Sequence, residues 1–323
     1  METQAIYRDI AKRCGGDVYI GVVGPVRTGK STFIKRFMET LVIPNITSEF
    51  ARERATDELP QSAAGRTIMT TEPKFIPEEA VKISLDDSAT LNVRMIDCVG
   101  YIVPSSLGYI ENEQPRMVVT PWFDKEIPFN LAAEIGTQKV INEHSTIGLV
   151  VTTDGSISDI PREEYEEAEQ RVVNELRQIN KPFVVLLNCT NPSAPAAVSL
   201  RASLEERYGV PVVAVNCLDL GEADIRVILS DVLFQFPVRE VAVSLPGWVT
   251  SLAPDHWLRT SLYDSIRQSA QDVERIGQLK SKITTLSECE YVSRVLVDNI
   301  DLGSGGASVS VDVKNDLFYR ILG

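Results

Sequence analysis

The sequence has few of the side chains that most often hold metal ions. It contains only two histidines, His144 and His256, so no histidine-rich metal site can be built from it. Each is more typical of a helix end or a core position than of a catalyst. The five cysteines form no C-x-x-C pair, and several lie in or beside apolar segments. This pattern favours a reduced, cytosolic compartment in which the thiols are small core side chains.

Positive charge is also scarce. Lysine and arginine total 32 against 45 aspartates and glutamates, which gives a net charge of −13 and a pI near 4.8. Nucleic-acid affinity depends on basic side chains that neutralise phosphates, so this balance argues against a nucleic acid as the partner. It favours proteins, or a surface that presents basic groups.

Long apolar segments are missing as well. Residues 1–10 contain no apolar signal core, and no stretch approaches the roughly 18 apolar residues of a membrane span. The sequence therefore predicts no transmembrane segment, and any membrane contact is expected to be peripheral.

What the sequence does contain is a complete G-x-x-x-x-G-K-[ST] motif, GPVRTGKS, at residues 24–31. An apolar, β-branched segment precedes it, and a segment with helical spacing follows it. A loop of this kind turns its backbone N–H groups towards the β- and γ-phosphates of a nucleotide, aided by the dipole of the following helix. Lys30 is expected to reach the terminal phosphates, and the Ser31 hydroxyl to bind Mg²⁺. The motif predicts a nucleotide-binding phosphate loop.

A second motif, D-x-x-G at residues 97–100, comes directly after an alternating strand pattern. Asp97 is expected to hold Mg²⁺ through water, and the N–H of Gly100 to meet the γ-phosphate. The weakly periodic segment 43–77 lies where switch proteins have the segment that closes over the γ-phosphate. Within it, Thr70 and Thr71 are candidates for the hydroxyl that completes the Mg²⁺ shell and senses the γ-phosphate.

Together these motifs define a candidate site with three overlapping sets of residues. The expected catalytic residues are Lys30, Thr70, Thr71 and Asp97. The expected metal ligands are Ser31, Thr70 and Asp97. The expected nucleotide-binding residues are Gly24, Arg27, Thr28, Gly29, Lys30, Ser31, Thr32, Gly100 and Asn188.

The usual basis of guanine selectivity is absent. A guanine-reading protein should have Asn/Thr-Lys-x-Asp after the fifth strand, because the aspartate pairs with the guanine edge. Residues 188–191 read NCTN instead, without the lysine or the aspartate. The residue after Gly100 is Tyr101, where a small GTPase has a water-orienting glutamine. Hydrolysis is therefore expected to be slow or to need a neighbouring subunit.

Strand and helix patterns alternate up to about residue 236. This alternation predicts an α/β domain, residues 1–237, with a doubly wound, mostly parallel sheet that binds its ligand at the carboxyl ends of the strands. Residues 81–85 and 91–96 alternate as an edge hairpin would. The proline-containing stretch 101–128 is expected to be a long surface excursion.

Residues 238–323 have a different character. After a strand pattern at residues 240–245, apolar residues three and four apart run from about residue 254 to 286, which predicts one helix roughly 50 Å long. Two strand patterns joined by a glycine-rich turn follow, so a small α+β module of helix and hairpin is expected. The sequence stops inside an apolar element at residues 317–322, which favours a truncation at the C-terminus.

Several runs closely resemble the stage IV sporulation protein A family, the spore-coat morphogenetic ATPases of endospore-forming bacteria. The matching runs cover residues 15–35, 57–75, 97–101 and 133–155, and the motif HWLR at residues 256–259 adds a match in the second part. The resemblance covers essentially the whole chain, although family members have a further C-terminal region.

This resemblance implies a P-loop NTPase fold related to translation-factor-type GTPases, and Mg²⁺-dependent ATP hydrolysis that drives self-assembly into a static polymer, the base layer of the spore coat. The family's phosphate-loop lysine falls on Lys30, its Mg²⁺-associated aspartate on Asp97, and its sensor threonines on Thr70 and Thr71. The resemblance also implies a mother-cell, cytoplasmic protein, peripheral on the outer forespore membrane. A short amphipathic membrane-anchoring peptide and other coat proteins are the implied partners.

Two other functions stay open on the sequence. One is a structural scaffold that binds nucleotide without turning it over. The other is a GTPase of ribosome or tRNA biogenesis, which the acidic pI and the missing guanine motif disfavour.

Overall fold

A computed structural model describes residues 3–60, 72–85, 89–111, 113–271 and 273–322. The chain divides into two units, residues 1–232 and residues 233–323. Each unit has its own sheet and its own hydrophobic core.

The first unit alternates strands with helices along the chain. Its strands are β1 (Asp17–Val23), β2 (Lys74–Leu85), β3 (Ala89–Asp97), β4 (Ile110–Glu111), β5 (Gln114–Pro115), β6 (Met117–Thr120), β7 (Phe123–Pro128), β8 (Ile147–Thr153), β9 (Phe183–Asn188) and β10 (Val212–Val215). Its helices are α1 (Thr3–Arg13), α2 (Lys30–Phe37), α3 (Glu49–Asp57), α4 (Phe129–Lys139), α5 (Glu166–Gln178) and α6 (Pro195–Tyr208), and α7 (Glu222–Gln235) begins in this unit.

Six of these strands form one sheet in the order β10-β9-β8-β1-β3-β2. Neighbouring strands are parallel except for β2, which runs antiparallel to β3 at the edge. Strands β8 and β9 are buried along their whole length, as expected for apolar strands in a parallel sheet covered on both faces. The predicted α/β architecture with a mostly parallel sheet is confirmed. Because parallel strands end at the same edge, the segments that follow β1, β3, β8 and β9 are brought together.

The edge hairpin is also confirmed, but it is longer than predicted. Strand β2 begins at Lys74, so the end of the weakly periodic segment 43–77 belongs to a strand. Near its start the same segment contains helix α3, with Ser48 as the N-cap, whose hydroxyl accepts from the N–H of Ala51 at 3.4 Å. Helix α3 buries only Ala55. An apolar stripe is therefore absent from its sequence, which explains why periodicity missed it.

The stretch 101–128 is less irregular than expected. It contains two short hairpins, β4 with β5 and β6 with β7, and most residues of these strands are exposed. The surface position is as predicted, and the hairpins are additional structure.

The five cysteines are free thiols. Cys98, Cys189 and Cys217 are buried, and burial raises the pKa of Cys98 to about 11. These three buried thiols are small core side chains, as the sequence predicted for several of the cysteines. Among the described residues, no helix combines the length and the apolar character needed to cross a membrane.

The second unit combines helices with a three-stranded sheet. Its elements are β11 (Glu240–Ser244), α8 (Gly247–Thr250), α9 (Trp257–Gln271), α10 (Ile276–Ile283), β12 (Val292–Asp301), β13 (Gly306–Val313) and α11 (Asn315–Leu322). Strand β13 lies in the middle of the sheet, parallel to β11 and antiparallel to β12.

The prediction of one long helix over residues 254–286 is wrong, because α9 and α10 are separate. The backbone between them makes a long-range hydrogen bond, in which the carbonyl of Glu274 accepts from the N–H of Val238 at 3.1 Å. A new N-cap then forms at Arg275, whose N–H donates to Oε1 of Gln278 at 3.2 Å. Both helices bury apolar residues, so apolar spacing continues through the break and conceals it.

A buried ion pair joins three elements of the first unit. Glu169 on α5 is fully buried, and its carboxylate accepts two hydrogen bonds from Arg162, at 2.7 and 2.9 Å. The hydroxyl of Tyr208 at the end of α6 donates a third, at 2.5 Å. Arg162 also donates to the hydroxyl of Thr152 on β8 at 3.1 Å. The carboxylate is stable at depth because each of its oxygens has a partner.

Replacing Arg162 with alanine leaves the Glu169 carboxylate buried without its counter-charge. We expect Arg162→Ala to lower the free energy of unfolding by about 3–5 kcal/mol, measured by urea denaturation. The matched control is Arg267→Ala, which breaks an exposed 3.6 Å pair with Asp264 and should cost at most about 1 kcal/mol. Equal losses in the two variants would contradict the assignment of Glu169 as a charge that depends on Arg162.

Candidate nucleotide-binding site

Residues 24–31 form the connection between the end of β1 and the first turn of α2. The backbone enters the positive-φ region at three points: Gly24 (φ 137°), Arg27 (φ 61°) and Gly29 (φ 90°). These turns fold the chain into a compact loop over the carboxyl edge of the sheet, immediately before a helix N-terminus. That arrangement is suited to binding an anion with backbone N–H groups.

The segment after β3 lies directly against this loop. The N–H of Val26 donates to the carbonyl of Tyr101 at 2.9 Å, and the N–H of Tyr101 donates to the carbonyl of Gly24 at 3.3 Å. A Cβ added to Gly100, which has φ 90°, would lie 2.0 Å from the Gly24 carbonyl oxygen and 2.7 Å from Nζ of Lys30. Only glycine fits at residue 100.

Lys30 is buried beneath the loop. Its ammonium group donates to the carbonyl of Pro25 at 2.6 Å and to that of Gly24 at 3.4 Å. Burial lowers the pKa of Lys30, and the nearby Cys98 and Asp97 act in the opposite direction. The ammonium group of Lys30 therefore lies against the backbone of the loop, where it adds a positive charge.

Ser31 and Asp97 meet at the base of the site. The Ser31 hydroxyl donates to Oδ2 of Asp97 at 2.6 Å. The other carboxylate oxygen, Oδ1, is buried and has no hydrogen-bond partner among the described residues. Burial raises the pKa of Asp97, while the Ser31 hydrogen bond and the Lys30 charge lower it. A serine hydroxyl beside a carboxylate with an oxygen to spare is a donor set that fits Mg²⁺.

Within the described part of the chain, no group of three or more His, Cys, Asp or Glu side chains could hold a metal ion by itself. Mg²⁺ bound with phosphates needs only one or two protein oxygens, with water and phosphate oxygens as the remaining ligands. Ser31 and Asp97 supply two such oxygens, which is enough for Mg²⁺ bound together with phosphates.

Asn188, the last residue of β9, hydrogen-bonds both to the loop and to the segment after β10. Its Nδ2 donates to the carbonyl of Thr28 at 3.0 Å, and its Oδ1 accepts from the N–H of Cys217 at 3.1 Å. Thr28 is buried, and its hydroxyl donates to the carbonyl of Pro25 at 3.0 Å. A Cβ on Gly29 would lie 2.3 Å from Asn188 Nδ2. The asparagine therefore positions the loop.

Tyr101 does not present its hydroxyl to the loop. Its side chain is buried, and the hydroxyl donates to the carboxylate of Glu175 on α5. The guanidinium of Arg171 stacks on the ring, 4.4 Å from its centroid. Burial and the neighbouring Glu175 raise the pKa of Tyr101. The hydroxyl of Tyr101 is thus hydrogen-bonded to helix α5 and not to the loop.

The structure brings together most of the residues predicted for the site. Those in or against the loop are Gly24, Arg27, Thr28, Gly29, Lys30, Ser31, Asp97, Gly100 and Asn188. Thr32 is half-buried on the first turn of α2. Thr70 and Thr71 lie outside the described residues.

The sequence prediction missed the segment after β8. Ile157 of this segment lies beside Gly29, with Cδ1 3.8 Å from the position of a Cβ there. The hydroxyl of Ser156 accepts from the N–H of Thr190 at 3.0 Å, which links this segment to the one after β9. The segment follows the carboxyl end of a buried strand, and that position was the available signal.

The geometry thus defines a mixed α/β protein with a compact loop, suited to binding an anion, at the carboxyl edge of a mostly parallel sheet. Comparison with known families agrees: residues 1–237 match the model described as Stage IV sporulation protein A, ATPase domain, and residues 238–323 match its middle domain. The chain belongs to the stage IV sporulation protein A family.

Curated relatives in three bacteria support this membership. Stage IV sporulation protein A of Bacillus anthracis is 51% identical over 322 residues, which are 100% of this chain and 65% of the relative. The protein of Bacillus subtilis (strain 168) is 48% identical over 322 residues, 100% of this chain and 65% of the relative. That of Clostridioides difficile (strain 630) is 49% identical over 317 residues, 98% of this chain and 65% of the relative. The chain thus spans about two thirds of the length of these relatives.

Gly100 offers a direct test of the site geometry. We expect Gly100→Ala to abolish nucleotide binding, measured by calorimetry with ATP and Mg²⁺, because its Cβ would displace the Gly24 carbonyl or Lys30. Gly16→Ala is the matched control: Gly16 has φ 93°, and an added Cβ there meets nothing within 4 Å. The control carries the same backbone strain without the clash, so loss of binding in both variants would contradict the proposed cause.

Proposed function

We propose that this chain binds ATP with Mg²⁺ in the loop of residues 24–31 and hydrolyses it. The observation that carries the proposal is the meeting of Lys30, Ser31 and Asp97 beside the loop, with the Ser31 hydroxyl 2.6 Å from the Asp97 carboxylate. A buried ammonium, a metal-binding hydroxyl and a carboxylate are the groups that phosphoryl transfer requires at one place. The name of the matching family domain, an ATPase domain, supports the same reaction.

The proposed fold is that of a P-loop NTPase related to translation-factor-type GTPases. The strand order, with β2 antiparallel at the edge beside β3, and the loop between β1 and α2 support it. In this proposal residues 1–237 form the nucleotide-binding domain, and residues 238–323 form a middle module that responds to it.

Each residue of the site has a definite task in the proposed reaction. Mg²⁺, when bound, neutralises the negative charge of the phosphates. Ser31 and Asp97 supply the protein oxygens that hold it. Lys30 exchanges its bonds to the carbonyls of Gly24 and Pro25 for bonds to the terminal phosphates, and the loop's N–H groups bind the phosphate oxygens. Gly100 offers its N–H to the γ-phosphate.

Thr70 and Thr71 complete this proposal. Their hydroxyls would join the Mg²⁺ shell and report the presence of the γ-phosphate, so that loss of phosphate releases the segment that carries them. This change would be the signal that alters the assembly competence of the protein.

The proposed nucleotide is ATP rather than GTP. Cys189, fully buried, stands where a guanine-reading protein has a lysine, and Asn191 stands in place of the aspartate that pairs with guanine. Oδ1 of Asn191 accepts from the N–H of Ser193 at 3.2 Å. Neither residue provides the carboxylate that guanine recognition needs.

The proposed outcome of the cycle is a homo-polymer that forms the base layer of the spore coat on the forespore surface, in the mother cell. A small amphipathic membrane-anchoring peptide and other coat proteins are the proposed partners. Family membership supports this role. The alternative is a scaffold that holds nucleotide without turnover, which the engagement of the Tyr101 hydroxyl with Glu175 favours.

Lys30→Ala tests the proposed reaction. We expect it to weaken ATP binding and to lower the rate of phosphate release by at least about 10²-fold, because the loop loses its cation at the terminal phosphates. The control is Lys35→Ala, one turn further along α2, where the ammonium forms a half-exposed 3.9 Å pair with Glu39. Full turnover by Lys30→Ala, measured as phosphate released over time, would overturn the proposal.

A second experiment separates the three functions. Phosphate release is measured with ATP and with GTP over a series of protein concentrations and long incubations, and each nucleotide is also used to compete for binding. We expect ATP to be preferred and the rate to rise faster than linearly with concentration if subunit contact contributes. Binding without phosphate release at any concentration would indicate the scaffold, and a preference for GTP would indicate the GTPase.

A further inference from the structure

Strand β12 is an edge strand of the sheet in the second unit. The strand order there is β11-β13-β12, so β12 pairs with β13 on one side, and no other strand in the described part of the chain pairs with its outer side. It is also the longest of the three strands, with ten residues. The N–H and C=O groups along such an edge can pair with a strand of another chain.

The edge strand β2 of the first unit shows how an edge can be covered within one chain. Ile46 forms a bridge to Ile83 on β2, and the carboxylate of Glu58 accepts from the N–H of Glu78 at 2.7 Å. Along residues 293–300 of β12, the described chain makes no comparable bridge or backbone hydrogen bond on the outer side. The edge of β12 is therefore available for pairing.

The apolar side of β12 is only partly covered. Val309 and Val311 on the central strand β13 are buried. Val297 and Val295, which pair with them on β12, pack against the same core but are only half-buried. The hydrophobic core therefore stays partly open at this edge, and a strand added there would remove further apolar surface from water.

The sequence of β12 complements itself when two copies run antiparallel about Leu296. In that register Leu296 faces the same residue of the second copy, Val295 faces Val297, and Arg294 faces Asp298. The last two pairs each occur twice, because a two-fold contact uses the same surface on both chains. Apolar side chains and opposite charges directly across an antiparallel pair stabilise it.

The side chains that this register brings together are accessible. Arg294, Leu296 and Asp298 are exposed, and they alternate with the valines that contact the core. The guanidinium of Arg294 makes no hydrogen bond or ion pair with the described residues. One carboxylate oxygen of Asp298 accepts from the hydroxyl of Ser310 at 2.6 Å, and the other can still accept from a guanidinium.

The opposite edge of the same sheet lacks this complementarity. A two-fold antiparallel pair of β11 strands about Ala242 would place Glu240 opposite Ser244, with no positive charge to meet the carboxylate. In β12, irregular pairing with β13 lies on either side of residues 294–297. Such irregularities disrupt a ladder locally, so a contact through β12 is short and reversible.

We propose that β12 is a contact surface for a second copy of this chain, in which two β12 strands pair antiparallel about Leu296 and the two three-stranded sheets become one. The inference rests on the homo-polymer of the proposed function and goes further by naming one of its contacts. The occupant is a second copy because the complementary charges lie on the strand itself. A two-fold contact joins chains in pairs, so a polymer needs a further contact elsewhere.

Charge reversal tests this pairing in the whole 323-residue chain without nucleotide. Arg294→Asp places two carboxylates across each charge pair, and Asp298→Arg places two guanidinium groups there. We expect sedimentation velocity over a concentration series to show dimers of the wild type, and a dissociation constant at least about tenfold larger for each variant. Arg267→Asp, the same charge change at an exposed residue of α9, is the matched control and should leave the dimer unchanged.

An equimolar mixture of the two variants gives the sharpest readout. In a mixed pair, the aspartate introduced at residue 294 of one chain faces the arginine introduced at residue 298 of the other, and the second charge pair is that of the wild type. We therefore expect the mixture to dimerise like the wild type, although neither variant does so alone. Mixing would not repair a folding defect, and thermal unfolding of each variant checks its fold.

Three results would overturn the inference: a wild-type chain that shows no dimer at any concentration, single variants that dimerise like the wild type, or a mixture that fails to dimerise. The proposed function is tested separately on the same samples. Absence of phosphate release by the wild type removes ATP hydrolysis but leaves the dimer result standing. A wild type that forms polymers, with both β12 variants forming them equally well, removes this inference alone.

Discussion

The close approach of two backbone segments, at residues 24 and 100, is the constraint on which the candidate site depends. The loop after β1 and the segment after β3 share two backbone hydrogen bonds, and the space between them accepts no Cβ at residue 100. Parallel neighbouring strands bring these segments to one edge of the sheet, but glycine alone lets them touch. The contact fixes the loop over Lys30 and brings the residues that follow Asp97 against it.

The buried charges of Lys30 and Asp97 indicate what kind of ligand this closely packed site is suited to receive. Burial raises the pKa of Asp97 and lowers that of Lys30, so each side chain is more easily neutralised than it would be in water, and the charge of each opposes this effect on the other. Groups of this kind contribute little to stability, because desolvation offsets their attraction. They are suited to a site that receives further charges of both signs from a metal ion and phosphates. Glu169 is different: its two oxygens are fully satisfied by Arg162 and Tyr208, so it has no capacity for a ligand.

The sequence predicted those parts of the structure that depend on short-range patterns. The 24–31 motif, the strand before Asp97 and the edge hairpin all came from local spacing, and the structure contains them. Features that depend on distant partners were missed. The break between α9 and α10 is held by the N–H of Val238, far away in the sequence, and the segment with Ile157 reaches Gly29 only because β8 lies beside β1. Helix α3 was missed for another reason, since it buries a single alanine and leaves no periodic trace.

The strand order of the second unit also bears on how the protein is made. Its central strand, β13, follows both of its neighbours in the sequence, so β11 and β12 emerge from the ribosome before the strand that joins them exists. Until residue 313 has been synthesised, the apolar faces of α9 and α10 have no completed sheet to cover them. The sheet of this unit therefore depends on the non-local pairing of β11 with β13, a kind of contact that forms slowly because a long loop must close first.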